Sequence, residues 1–153
     1  MAFTMTGGCA CGAARYECAE RPLVHLICHC LDCQRASGAG TAALVFVPSD
    51  RLTFSGSYLR YHEVEGASGR HLQRGFCTNC GSPVAGRWRE QSRFQFLTVG
   101  SLDDPAVFDP KVEVWVSRAK PWEVLHPGTE KFDQGPSVEA VRKPIDDYFA
   151  SRT

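Results

Sequence analysis

Seven of the eight cysteines in this 153-residue chain fall into three tight clusters, and any fold must be arranged around them. The clusters are Cys9-Ala-Cys11, Cys28-His29-Cys30-Leu31-Asp32-Cys33 and Cys77-Thr78-Asn79-Cys80. Cysteines one or two residues apart pair poorly with each other, but they can share a metal. Tetrahedral zinc holds thiolates at about 2.3 Å, which places neighbouring sulfurs just under ~4 Å apart. A tight turn reaches that separation with little strain. Two of the clusters together make one closed four-sulfur site, and the triplet makes a site one ligand short. A closed site builds structure, whereas an open one can do chemistry.

The rest of the composition is that of a globular protein, with 43% apolar and 22% charged residues, a length suited to one domain spanning residues 1–153. Seventeen basic and seventeen acidic residues cancel, so no global positive field exists to hold nucleic-acid phosphates. The first residues contain neither a charged n-region nor an apolar h-region, and no apolar run approaches the ~18 residues of a membrane span. These observations predict a cytoplasmic location, with no membrane partner. Reduced thiols are expected there, which favours metal over disulfides.

Short strand-like runs, punctuated by glycine and proline, dominate the pattern. They are residues 13–18, 23–27, 41–47, 52–54, 58–64, 71–76, 84–88, 94–99 and 112–116. The spacing predicts a mainly β fold of antiparallel sheets with little helix. A short helix is expected over residues 31–36, ending before Gly38. A second begins near Ser137 and continues to Phe149, broken by Pro144.

Cys9 and Cys11 with Cys77 and Cys80 form the natural closed set, a structural zinc site. Gly81 directly after Cys80 can take the positive φ of a tight metal-binding turn. The spacing alone leaves open which pairs share a metal. Cys28, Cys30 and Cys33 form a half-cup whose fourth position falls to water, substrate, His25, His29, His62, His71 or the isolated Cys18. His29 lies between two ligands, so in extended chain its side chain points away from theirs. Cys18 reads as a small buried hydrophobe. A second purely structural site is the alternative for the triplet.

If the triplet is open, its charge selects its chemistry. Three thiolates on Zn²⁺ leave the centre formally negative, a poor Lewis acid for making hydroxide. An incoming thiol can still bind there and remain ionised as a sulfur nucleophile. Arg74, Arg87, Arg89 and Arg93 read as a solvated face or as binders of substrate carboxylates, and Trp88, Trp115 and Trp122 as core or groove-lining residues.

Gly7-Gly8-Cys9-x-Cys11-Gly12, Cys28-His29-Cys30-x-x-Cys33-Gln34-Arg35 and Phe76-Cys77-x-x-Cys80-Gly81 together resemble the glutathione-dependent formaldehyde-activating enzyme family, which also contains centromere protein V. Thr98-Val99-Gly100-Ser101-Leu102-Asp103-Asp104-Pro105 and the Trp122 region extend the resemblance, which covers residues 7–136. It implies a β-tent of antiparallel sheets around a structural zinc held by Cys9, Cys11, Cys77 and Cys80. It implies a second, catalytic zinc on Cys28, Cys30 and Cys33, hence two zincs per chain. There a glutathione-like thiol would add to formaldehyde. The segment 111–116 departs from the family in lacking a histidine-isoleucine pair before the tryptophan.

The first reading is therefore a zinc-dependent carbon–sulfur lyase or synthase. It would act on a thiol adduct of formaldehyde or another small aldehyde, with glutathione or a similar thiol as cosubstrate. The alternatives are a non-catalytic zinc module for protein or nucleic-acid binding, disfavoured for nucleic acid by the zero net charge, and a thiol-based redox sensor. A β-rich surface edge is compatible with a homo-oligomer.

Overall fold

The structure, a computed structural model, describes residues 2–66 and 68–152. In chain order the strands and helices are β1 (Met5–Gly8), β2 (Arg15–Cys18), β3 (Val24–Cys28), α1 (Leu31–Ser37), β4 (Ala42–Pro48), β5 (Leu52–Ser55), β6 (Leu59–Glu65), β7 (His71–Cys77), β8 (Pro83–Trp88), β9 (Phe94–Thr98), β10 (Val112–Val114), β11 (Glu130–Phe132) and α2 (Lys143–Ala150). The fold is mainly β, as the spacing of the apolar runs predicts. The chain divides into two compact units. One is built from residues up to Pro22 with Phe46–Val107, the other from Leu23–Val45 with the chain from Phe108 onward.

The first unit holds a three-stranded sheet in the order β1-β2-β5 and a run of strands in the order β9-β8-β7-β6. All these pairings are antiparallel. Alternation does its usual work in β2, where buried Tyr16 and Cys18 flank exposed Glu17. The Tyr16 ring meets Phe54 edge-on, with centroids 6.1 Å apart, and its hydroxyl bonds Ser101 Oγ at 2.9 Å. Phe46, Trp88, Phe94 and Phe96 form an aromatic core, with Trp88 5.4 Å from Phe94 and 5.6 Å from Phe96. Each such pair adds ~0.5–1.5 kcal/mol beyond its buried area. Trp88 is thus a core residue. Trp122, in the second unit, is 73% exposed and does not share that role.

In the second unit the order is β11-β10-β3-β4. Here the expected antiparallel pattern has an exception, because β10 runs parallel to both β3 and β11. The partners are distant in sequence, and period-two alternation reports which face is buried, not which way a neighbour runs. Val24, Leu26 and Cys28 are buried along β3, while His25 and Ile27 on the other face are half-buried. The α1 helix ends on Gly38 at φ 70°, the left-handed cap foreseen for it. The C-terminal helix changes winding earlier than expected. Residues Val138–Arg142 form a π-helical turn, and Pro144 then sits in the first turn of α2, where its missing N–H costs no bond. Trp115, directly after β10, has φ 58°, and is the one non-glycine residue with positive φ among the described residues. No described helix is long and apolar enough to cross a membrane.

Candidate metal centres

Two turns of similar construction carry the first group of sulfurs. In one, Gly12 N–H donates to Cys9 O at 3.1 Å with Gly12 at φ 79°. In the other, Gly81 N–H donates to Cys77 O at 2.8 Å with Gly81 at φ 78°. A side chain in that left-handed conformation is strained, which explains glycine directly after each cysteine pair. The turns are tied by the Ala10 N–H, which donates to Ser82 Oγ at 3.1 Å. As a result the sulfurs of Cys9, Cys11, Cys77 and Cys80 all lie within 4.8 Å of one another. Cys9 and Cys11 are 3.5 Å apart, and Cys11 and Cys77 3.8 Å, close to the edge of a tetrahedral thiolate site.

The surroundings of this group already favour thiolates at some positions and resist them at others. The Ser82 hydroxyl, 3.1 Å away, and the Ser82 N–H hold the Cys80 thiol down at about 5. Burial acts against ionisation of Cys9, but the Ala14 N–H at 3.2 Å and the neighbouring thiols outweigh it and lower its pKa. Burial pushes Cys77 up to about 11. Asn79 Nδ2 donates to Cys11 Sγ at 3.2 Å. Such N–H···S bonds stabilise sulfur charge, the environment in which cysteines serve as metal ligands.

The second group is local. Cys28 ends β3, Cys30 is the N-cap of α1 and Cys33 lies in the helix's first turn. Cys33 N–H donates to Cys30 Sγ at 3.3 Å, a capping bond that places the two sulfurs together. Buried Gln34 fixes the turn, its Nε2 donating to His29 O at 2.7 Å and to Arg118 O at 2.9 Å. The three sulfurs lie within 4.8 Å of one another. The sulfurs of Cys30 and Cys33, and then burial, push the Cys28 thiol up. Three thiolates this close repel one another unless a cation joins them, so the donor set suits a thiophilic metal.

No described His, Cys, Asp or Glu joins the triplet as a fourth ligand. His25 Nδ1 instead accepts from Asp109 N–H at 3.2 Å, and His71 Nδ1 pairs with Glu90 at 2.7 Å. His62 is exposed on β6. Cys18 is fully buried and donates to Glu20 O at 3.4 Å, apart from both groups. None of the eight cysteines is in a disulfide. Arg87 lies over the Tyr61 ring at 4.0 Å and donates to Gln73 Oε1 at 2.8 Å, while Arg89 pairs with Glu63 at 2.9 Å. These two arginines are committed to neighbours on their own sheet.

One polar feature is absent from the sequence reading. His29 Nε2 lies 2.7 Å from Glu113 Oε1, and both side chains are almost wholly buried. The available signal was a lone carboxylate in the apolar run Val112-Glu113-Val114, a residue type seldom buried without a partner.

Comparison with known proteins agrees with this picture. The family model described as glutathione-dependent formaldehyde-activating enzyme matches residues 4–118. No curated protein matches the chain significantly. A structural-genomics crystal structure of a Rhodobacter sphaeroides protein is similar in fold, with a TM-score of 0.51 at 22% identity, covering 65% of this chain and 88% of that one.

Proposed function

The chain belongs to the glutathione-dependent formaldehyde-activating enzyme family, and from this premise we propose that it is a cytoplasmic, zinc-dependent carbon–sulfur lyase or synthase. Its substrates would be a glutathione-like thiol and formaldehyde or another small aldehyde. The observation that carries the reading is the cup of three sulfurs with no fourth described protein ligand. In this reading Cys9, Cys11, Cys77 and Cys80 hold a structural zinc. Cys28, Cys30 and Cys33 hold a second one, so each chain carries two within a single zinc-binding domain.

Zinc in the triplet would keep a bound thiol ionised at neutral pH. The chain's own residues do the rest. Cys30 caps α1 and Cys33 occupies its first turn, which holds their sulfurs on a rigid frame. Gln34 locks the segment between them through His29 O and Arg118 O. The reaction is an addition. The thiol gives its proton to solvent, its sulfur forms a bond to the aldehyde carbon, the carbonyl π bond breaks, and the oxygen takes a proton back from solvent. The reverse path releases thiol and aldehyde.

The test is exchange NMR on a mixture of glutathione and formaldehyde, which reads adduct formation directly. The wild type should accelerate exchange above the uncatalysed rate, and Cys30→Ser should abolish the acceleration. Exchange at the background rate with fully metallated protein, repeated for other small aldehydes and thiols, would overturn the enzyme reading.

A further inference from the structure

The segment that bears the three sulfurs shares its frame with a turn that carries two cations. His29 N–H donates to Val114 O at 3.0 Å, so β10 ends beside that segment. Trp115 then takes the left-handed conformation, φ 58° and ψ 37°, which a non-glycine residue keeps only where its surroundings hold it. Two bonds do so here. Trp115 N–H donates to Gln134 O at 2.8 Å, and Trp115 O accepts from Arg118 N–H at 2.9 Å. The chain thus bends at Trp115 into a single 3₁₀ turn, Val116–Arg118, instead of running on as a strand. Gln34 ties that turn to the triplet, since its one amide nitrogen donates to both His29 O and Arg118 O. His29 O belongs to the peptide that leads into Cys30, so the Arg118 backbone is a near neighbour of the sulfur cup.

Charge sorts the cations of this unit. Arg35, Lys111, Lys131, Arg142 and Lys143 each pair with a carboxylate, and Arg152 lies over the Tyr148 ring. Arg118 and Lys120 remain, and neither side chain has an acidic partner among the described residues. Arg118 is exposed and Lys120 half-buried. Arg118 serves the turn through its main-chain N–H and carbonyl, which leaves its guanidinium to a ligand. The arginines at 74, 87, 89 and 93 belong to the other unit. Three thiolates on a divalent zinc are formally −1, and a bound thiolate takes the centre to −2. Such a centre repels a thiol that carries carboxylates of its own, unless cations stand beside it.

Resting on the reading of the triplet as a thiol site, we propose that Arg118 and Lys120 bind the carboxylates of the incoming thiol. The cosubstrate class is then an anionic thiol with free carboxylates, selected over its neutral esters and over amine thiols. Arg118 offers a planar fork that takes a carboxylate through two parallel bonds, and Lys120 adds a point charge. Neither residue touches the reacting atoms. Together they decide which thiol is held at the cup.

The experiment is isothermal titration of the fully metallated protein with glutathione, glutathione diethyl ester and cysteamine. The ester keeps the thiol and the peptide skeleton and loses the carboxylate charges. Glutathione should bind several times more tightly than the ester, with cysteamine weakest, and added salt should shrink the preference. Arg118→Gln should weaken glutathione binding by up to about fivefold, the scale of an exposed ion pair, and leave the ester unchanged. Arg118→Lys, which keeps the charge, should recover part of that loss. Lys120→Gln should add a smaller one. Equal affinities for glutathione and ester in the wild type would overturn the proposal and leave the thiol site standing. So would an unchanged glutathione affinity in the Arg118→Gln/Lys120→Gln double variant, or a loss that falls equally on the ester, which marks a merely structural role. Saturable binding of none of the three thiols would overturn the thiol site itself, and the proposal with it.

Discussion

The two cysteine groups use the same ligand atom in opposite architectures. The four-sulfur group draws on two turns far apart in sequence, each closed by a left-handed glycine. The three-sulfur group comes from a single stretch, a strand end running into a helix cap. A metal in the first group would therefore join two distant pieces of chain, in the way a long-loop cross-link does. A metal in the second joins nothing that the backbone does not already hold, since Cys30 caps α1 and Gln34 pins the turn. A cluster that folding does not need is free to keep one side open for a substrate. The topology thus supports the proposed division into a structural and a chemical centre.

Removing a ligand from the first group tests this contrast most severely. Structural zinc in small modules supplies ~10–16 kcal/mol of apparent binding free energy, comparable to a whole domain's stability. Cys77→Ala is therefore expected to lose its cooperative melt along with its metal. Circular dichroism and metal analysis of the same sample would show it. A variant that melts as the wild type does, with metal content unchanged, would break the comparison at its root.

The matching change in the second group should be far milder to the fold. Serine is a good N-cap, so Cys30→Ser retains the acceptor for Cys33 N–H. Protein purified without chelators should fall from two metals to one, with a melting temperature lowered by only a few degrees. One metal in both proteins would mean that the triplet is empty as isolated, and a binding-module reading would then overtake the enzyme reading.

Much of this contrast was legible in the sequence, for physical reasons. Cysteine spacing and a following glycine report local turn geometry, so the clusters and the Gly81 turn could be read directly. Period-two burial likewise marked nine strands within a few residues of their ends. It missed β1, whose Met5-Thr6-Gly7-Gly8 is half glycine, and β11, whose Glu130-Lys131-Phe132 has a single apolar side chain. Strand direction was also out of reach, because β10 lies parallel to β3 through pairing across more than eighty residues. The same pairing brings Glu113 to His29. Glu113 stands out as a carboxylate in an apolar run, but nothing in the sequence names its partner, and only the shared sheet makes the two a buried pair.

A smaller effect separates the backbone's contribution from the metal's. At Gly81 an added Cβ would meet nothing within 4 Å, so alanine there costs only the left-handed conformation. That cost is ~1–2 kcal/mol. Gly38, the α1 cap, is equally open at φ 70° and should cost about the same. Urea melts should therefore show similar losses for Gly81→Ala and Gly38→Ala, with metal content preserved in both. A much larger loss at Gly81 would mean that the turn must flex to seat its metal.

The smallest effect is one of pH, and it asks whether anything other than sulfur secures the frame around the first group. Arg15 opens β2 directly after Ala14, whose N–H serves Cys9. It grips Asp103 with both guanidinium nitrogens, the Nη1 contact to Oδ1 being 2.9 Å, and Thr6 Oγ1 donates to Asp103 Oδ2 at 2.7 Å. Arg15, with Thr6, holds the Asp103 carboxyl at about 2, below its ordinary 3.8. A carboxyl lowered on folding contributes stability that is fully present above its unfolded value and fades as pH falls toward the folded one. The stability difference between wild type and Asp103→Asn should thus be flat above about pH 5, begin to shrink near 4 and approach zero close to 2. Acid also protonates metal-bound thiolates, but it does so in both proteins, so the difference between them isolates the ion pair. Urea melts from pH 6 down to 3 would follow it. A difference that grows on acidification would show that Asp103 steadies the protonated form instead, and that the sulfur turns alone hold this part of the first unit.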